Sequence, residues 1–250
     1  MNNRADPATL LTLRAGPGAA AHVRELGLAP YDIACIPAAA GGPKGLALIP
    51  FDKLLFREWL QDPTPIELVG ASIGAWRMAA LAMPDAVAAL ERLQHGYVRD
   101  QNYTAKPTPD DVAVACRRIG RGVLDGQPLR VRPGVSLTIV TSRARGPLAG
   151  KESKLAFGRA VLSNTISRDR LAAHLQRVLF TSDATFLAEP FDEFGSCVVG
   201  FTEANSEDAL VASGTIPLIC SPVRDIAGAP PGNYWDGALV DYHLQLPYGR

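Results

Sequence analysis

The run Ile66-Glu67-Leu68-Val69 passes straight into Gly70-Ala71-Ser72-Ile73-Gly74, and an Ala-, Leu- and Met-rich stretch from Ile73 to Met83 begins before any loop can form. Four apolar-flanked residues bounded this way read as a short buried strand, and the stretch from Ile73 has helical composition. A strand that feeds a helix through so few residues needs a very sharp turn. Glycine on either side lets strand and helix approach without a Cβ between them. Ser72, at the centre of the turn, is then forced into a strained backbone conformation, with its hydroxyl above the carboxyl edge of the sheet and the first N–H groups of the helix beneath it.

The rest of the chain repeats this alternation. Tyr31 to Ile36 reads as a buried strand, Pro37 to Gly45 as a small-residue loop, and Leu46 to Leu60 as a helix bent at Pro50. Residues 1–29 carry only weak helical periodicity, around His22 to Leu28. Pro84 can open a helix as its first residue. Thr108-Pro109-Asp110-Asp111 has a hydroxyl cap, a proline and two acids, so a helix to about Ile119 is predicted. Val135 to Thr141 is the best strand by composition. Ser167 is positioned to cap a helix through Val178, and Asn205 another from Ser206 to Ala212. Cys197 to Phe201 and Leu218 to Cys220 read as further buried strands. Strands alternating with helices imply an α/β fold with a mostly parallel sheet covered on both faces.

Composition bounds the rest. The 250 residues carry 25 basic and 25 acidic side chains, 47% hydrophobic and 20% charged residues, so disorder and a dedicated nucleic-acid binder are both disfavoured. A chain of this length reads as one domain, residues 1–250, large enough to need no disulfide or metal staple. Cys35, Cys116, Cys197 and Cys220 are far apart in sequence and sit among apolar neighbours, which suggests inert core residues and a reducing, cytoplasmic setting. No signal peptide is evident at the start. The longest apolar stretch, Ala209 to Val223, is too interrupted to span a bilayer.

G-x-S-x-G between a strand and a helix is the nucleophile elbow, which marks Ser72 as a candidate nucleophile. A second glycine cluster, Ala40-Gly41-Gly42-Pro43-Lys44-Gly45, comes after the first strand. Gly41 and Gly42 can aim N–H groups at a developing oxyanion, whereas Pro43 has none; Ile73, just after the serine, adds another donor. A Walker P-loop is rejected, because Lys44 is followed by Gly45-Leu46 rather than serine or threonine, which leaves a plain turn or another mode of nucleotide binding as the alternatives for this loop. Of the histidines, His22, His95 and His174 fall in polar helical surroundings and read as solvated. His243 makes a triad Ser72–Asp236–His243 formally available, but only one strand precedes the one leading into Ser72, and acid and histidine are seven positions apart.

Gly41-Gly42-Pro43-Lys44-Gly45, Gly70-Ala71-Ser72-Ile73-Gly74 and Asp236-Gly237-Ala238, in that order, resemble the patatin-like phospholipase family. There a glycine-rich oxyanion loop, a G-x-S-x-G elbow and a D-G-[GA] motif recur in the same order. Ala209 to Pro217 is similar to the family's segment ahead of the aspartate, and the matching elements reach from about residue 31 to 241. The resemblance implies a three-layer α/β/α fold and a Ser–Asp dyad. Ser72 would attack an ester carbonyl, Asp236 would take its proton, Gly41, Gly42 and Ile73 would form the oxyanion hole, and Lys44 and Gly45 would support the loop. It implies no cofactor and no metal, a lipid or other ester as substrate with transient contact to a membrane surface, and no nucleic-acid partner. It also leaves His243 a structural residue. Ala40 stands where the family has glycine and Lys44 where arginine is commoner. The chain ends fourteen residues past Asp236, where family members usually continue, so either a fragment or a shortened member is expected. The same elbow would also serve an acyltransferase, and a shortened member could act as a binding module instead.

Overall fold

A computed structural model describes residues 13–61, 65–149, 168–187 and 189–248. The chain divides into two compact units, Met1–Ile33 and Ala34–Arg250. In the first, helix α1 (Pro17–Leu26) is followed by a 3₁₀ turn at Pro30–Asp32, and His22 Nε2 lies 3.0 Å from Asp32 Oδ1.

The second unit is built on a mixed seven-stranded sheet. Strands β1 (Cys35–Ala38), β2 (Ile66–Ala71) and β3 (Val135–Ala144) are parallel. β4 (Leu175–Thr181) returns antiparallel to β3, and β5 (Ser196–Gly200) runs parallel to β4. β6 (Val223–Arg224) and β7 (Asn233–Asp236) form an antiparallel pair, and β7 also pairs antiparallel with β3. The α/β class predicted from the alternation holds. Parallel pairing accounts for three of the four steps along β1–β5, with the reversal at β3–β4.

Around the sheet lie α2 (Ile49–Leu54), α3 (Ile73–Ala82), α4 (Ala86–Arg99), α5 (Pro109–Val123), α6 (Arg168–Ala172), α7 (Ser206–Ser213) and α8 (Ala238–Asp241). α3 is buried along its whole length and packs on β2. α5 starts as its sequence dictates: Asp111 N–H donates to Thr108 Oγ1 at 3.2 Å and Thr108 N–H donates to Asp111 Oδ2 at 2.8 Å. It runs one turn past Ile119, to Val123. One face of the sheet buries Val69, Ala71, Val140, Leu179 and Trp235 in a single apolar cluster.

Several expectations are corrected. Tyr31–Asp32 belongs to the 3₁₀ turn, so the first strand starts later, at Cys35. Leu46 to Leu60 is not one bent helix. A 3₁₀ segment, Gly42–Leu48, leads into α2, and Leu55–Trp59 widens into a π-helical turn. Pro50 falls within the first two positions of α2, where its missing N–H breaks no bond, so it produces no kink. Pro84 lies just ahead of the N-cap Asp85 rather than inside α4. Ser167 lies outside the described residues, and the helix expected through Val178 stops at Ala172. Beyond it the chain runs as β4, where Leu175, Arg177 and Leu179 share one face and buried Arg177 is paired with Asp192 and Asp241 from distant segments. Leu218–Cys220 is a turn, with Ile216, Leu218 and Ile219 exposed. No described helix is long and apolar enough to cross a membrane.

Candidate active site

The register of β3 brings Ser72 and Asp236 together. One edge of β3 is taken by β4 over Thr138–Ala144. The opposite edge is shared, with β2 along Val135–Val140 and β7 along Thr141–Arg143. Ala71 faces Val140 and Asp236 faces the next residue, Thr141. β2 and β7 therefore run toward each other along one edge and end head to head, which puts their carboxyl-terminal residues side by side.

Ser72 caps α3 at φ 57° and ψ −132°, a conformation that costs a non-glycine residue about 1–3 kcal/mol and persists only where neighbours impose it. They do so on both sides. A Cβ on Gly70 would lie 2.4 Å from the backbone of Ala75, and one on Gly74 would lie 1.9 Å from the carbonyl oxygen of Ala38. The same close approach joins the elbow to the second glycine cluster: a Cβ on Gly45 would lie 2.7 Å from the Ile73 side chain. The backbone N–H of Ser72 donates to Ser213 Oγ at 3.0 Å, and Ser213 Oγ–H donates to the Val140 carbonyl at 2.8 Å. Ser213, at the end of α7, thus ties the elbow to the neighbouring strand.

Asp236 is held as firmly. Its N–H donates to the Thr215 carbonyl at 2.9 Å, and its carbonyl accepts from Ser142 Oγ at 2.9 Å. Its carboxylate accepts from Ala238 N–H at 2.8 Å and from the Ser72 hydroxyl. Burial dominates its electrostatics. With 4% of its surface exposed, the carboxyl is pushed up to about 6, and the two hydrogen bonds only partly offset that shift. The D-G step is steric too, since a Cβ on Gly237 would lie 2.2 Å from the Val140 carbonyl oxygen.

Gly41 and Gly42 stand at the start of the 3₁₀ segment after β1, with Gly42 at φ +56°. Gly42 and Ile73 are each the first residue of a helical segment, so their N–H groups have no acceptor within it. The loop is moored to the far side of the site by Ala40 N–H, which donates to the Tyr242 carbonyl at 3.1 Å. Lys44 is exposed and Gly45 buried. His243 is exposed, its ring edge-on to Tyr242 with centroids 4.9 Å apart, while the serine's own bond goes to Asp236. His95 is exposed as expected, but His174 is half-buried.

Two buried arginines that sequence reasoning missed, each paired with carboxylates, brace this arrangement. Arg77 of α3 donates from Nε and Nη2 to both oxygens of Asp52 at 2.7 and 2.6 Å, locking the nucleophile helix to α2 behind the glycine loop. Arg177, wholly buried on β4, donates to Asp241 at 2.6 and 3.0 Å and to Asp192 at 2.8 and 2.5 Å. Asp241 ends α8, the helix that starts directly after Asp236-Gly237, so this fork fixes the segment carrying the acid. An arginine inside the apolar run Leu175–Thr181 was the available signal.

Ser213→Ala removes both the acceptor for the Ser72 N–H and the donor to Val140. Leaving those buried groups unpaired is expected to lower unfolding free energy by about 1–3 kcal/mol. Urea denaturation followed by circular dichroism measures it, and an unchanged midpoint would show that the bridge contributes nothing.

Comparison of the chain with protein families, with curated proteins and with solved structures found no match.

Proposed function

We propose that this protein is a serine acyl hydrolase of the patatin-like kind, cleaving lipid or other carboxylic esters through a covalent acyl-enzyme on Ser72. The single observation behind the reading is the strained serine at the end of β2, hydrogen-bonded to a buried carboxylate at the end of β7 whose pKa lies at about 6. A carboxylate with that pKa is ionised at neutral pH yet basic enough to take the serine proton as the oxygen attacks. The N–H groups of Gly41, Gly42 and Ile73 would receive the oxyanion, each donor being worth about 3–4 kcal/mol in the barrier. Asp236 would pass the serine proton to the alcohol as the ester C–O bond breaks; it would then take a proton from the water that attacks the acyl-serine and return it to Ser72 as the acid leaves. The three-layer α/β/α arrangement belongs to the same proposal. Transfer of the acyl group to an alcohol or thiol instead of water remains the alternative outcome, separated by looking for transfer products when such acceptors are added.

A fluorophosphonate probe tests the reading. One adduct, mapped to Ser72, is expected, with a labelling rate that rises through about pH 6 as Asp236 ionises. Glu67, at the opposite end of β2, is also raised, to about 7, chiefly by burial, with Thr138 Oγ1 donating to it at 2.7 Å. Glu67→Gln should therefore keep the limb near pH 6. A folded protein that never takes the label would point to a binding module instead.

A further inference from the structure

Cys116 and Cys220, 104 residues apart in the chain, have their sulfurs 4.0 Å apart in the fold. Their surroundings differ. Cys116, on α5, is half-buried, whereas Cys220 is 2% exposed and lies beneath it. Cys220 closes a turn in which the N–H groups of Ile219 and Cys220 donate to the Ile216 carbonyl at 3.2 and 2.9 Å. The next residue, Ser221, donates its N–H to the Pro109 carbonyl at the start of α5 at 3.1 Å, so turn and helix are already in register. The turn also begins one residue after Thr215, whose carbonyl accepts the Asp236 N–H at 2.9 Å. Any movement of it acts on the backbone that holds the acid of the dyad.

We propose that Cys116 and Cys220 form a redox site, in which a two-electron oxidant of the hydroperoxide class joins them into a disulfide that fixes the Ile216–Cys220 turn against α5 and restrains Asp236. The outer sulfur reacts first. Cys116 sulfur attacks one peroxide oxygen, the O–O bond breaks, and the departing hydroxide leaves as water with the thiol proton. Cys220 then attacks the resulting sulfenic sulfur, forming the S–S bond and releasing the second oxygen as water with its own proton. The two sulfurs lose two electrons in all, and these reduce the peroxide. Closing the bond brings the sulfurs from 4.0 Å to about 2 Å. α5 is a regular capped helix, so the turn takes up the shift. The hydrogen bond to Cys220 and burial hold the Cys116 thiol well above the usual thiol range, so little thiolate is present and the oxidation proceeds slowly.

The test treats the whole protein with hydrogen peroxide, alkylates remaining thiols after unfolding, and maps the peptides. The expected result is one bond, Cys116–Cys220, with an intact mass lower by two hydrogens, reversed by dithiothreitol and absent from Cys220→Ser. Four alkylated thiols after oxidation, or Cys116 driven to sulfinic acid with Cys220 untouched, would overturn the proposal. The effect on the dyad rests on the hydrolase reading and is measured separately. Fluorophosphonate labelling of Ser72 should slow several-fold in the oxidised protein and recover on reduction, while Cys220→Ser labels alike with or without peroxide. Equal labelling on protein shown to carry the bond would overturn the restraint. If no serine labels even when reduced, the hydrolase reading fails while the peptide map still decides the bond.

Discussion

Ser72→Ala is expected to abolish ester cleavage, and Asp236→Asn to lower kcat by about 10²- to 10⁴-fold, the range for loss of a positioned base, while the asparagine protein stays folded and becomes more stable at neutral pH. The gain in stability separates a working base from a structural acid. The folded-state pKa of Asp236 is raised from 3.8 to about 6, so the native protein holds this proton more tightly than the unfolded chain does. Its favourable contribution is complete below 3.8 and is lost as pH rises through about 6. Above that, keeping the buried carboxylate ionised costs on the order of 3 kcal/mol. Asparagine carries no such charge and still offers an oxygen to the Ala238 N–H. Its urea midpoint should exceed that of the natural protein at pH 8, with the gap closing toward pH 4. Wild-type turnover in Asp236→Asn would end the dyad assignment.

Gly74→Ala should prevent folding, while Gly41→Ala should be nearly silent. Both are glycines of the two motifs, and only the tertiary contacts distinguish them. At Gly74 the added carbon would sit 1.9 Å from the Ala38 carbonyl oxygen and 2.8 Å from that of Ala39. Those are backbone atoms of β1 and the loop after it, with no flexible side chain to yield. The expected loss is above about 4 kcal/mol, the range kept for severe packing conflicts. At Gly41 the added carbon meets nothing within 4 Å. Alanine there keeps the N–H on which an oxyanion hole would depend, so the change should stay within about 0.5 kcal/mol. Soluble yield and thermal melting of the two variants measure the contrast. A well-folded Gly74→Ala protein would mean that β1 and α3 do not approach as described.

The sequence already determined the parts of this protein whose causes are local. The elbow from β2 to α3 was legible because glycines at 70 and 74 leave room for strand and helix to approach so closely, and α5 because Thr108 and Asp111 satisfy each other's backbone groups within four residues. β4 was misread because its cause lies elsewhere in the chain. Arg177 is acceptable inside a sheet only where Asp192 and Asp241 converge on it, and no local pattern announces that convergence. β7 went unread because four residues carry too little periodicity to stand out. Ser213 passed as one small residue among many. The meeting of Ser72 with Asp236 depends on β3 sharing one edge between β2 and β7, and the approach of Cys116 to Cys220 depends on how α5 docks against the turn after α7. Local backbone chemistry acts over a few residues and can be read in one dimension. Charge pairing, strand register and the nearness of two thiols are set by which distant segments pack together, and that only the folded structure decided.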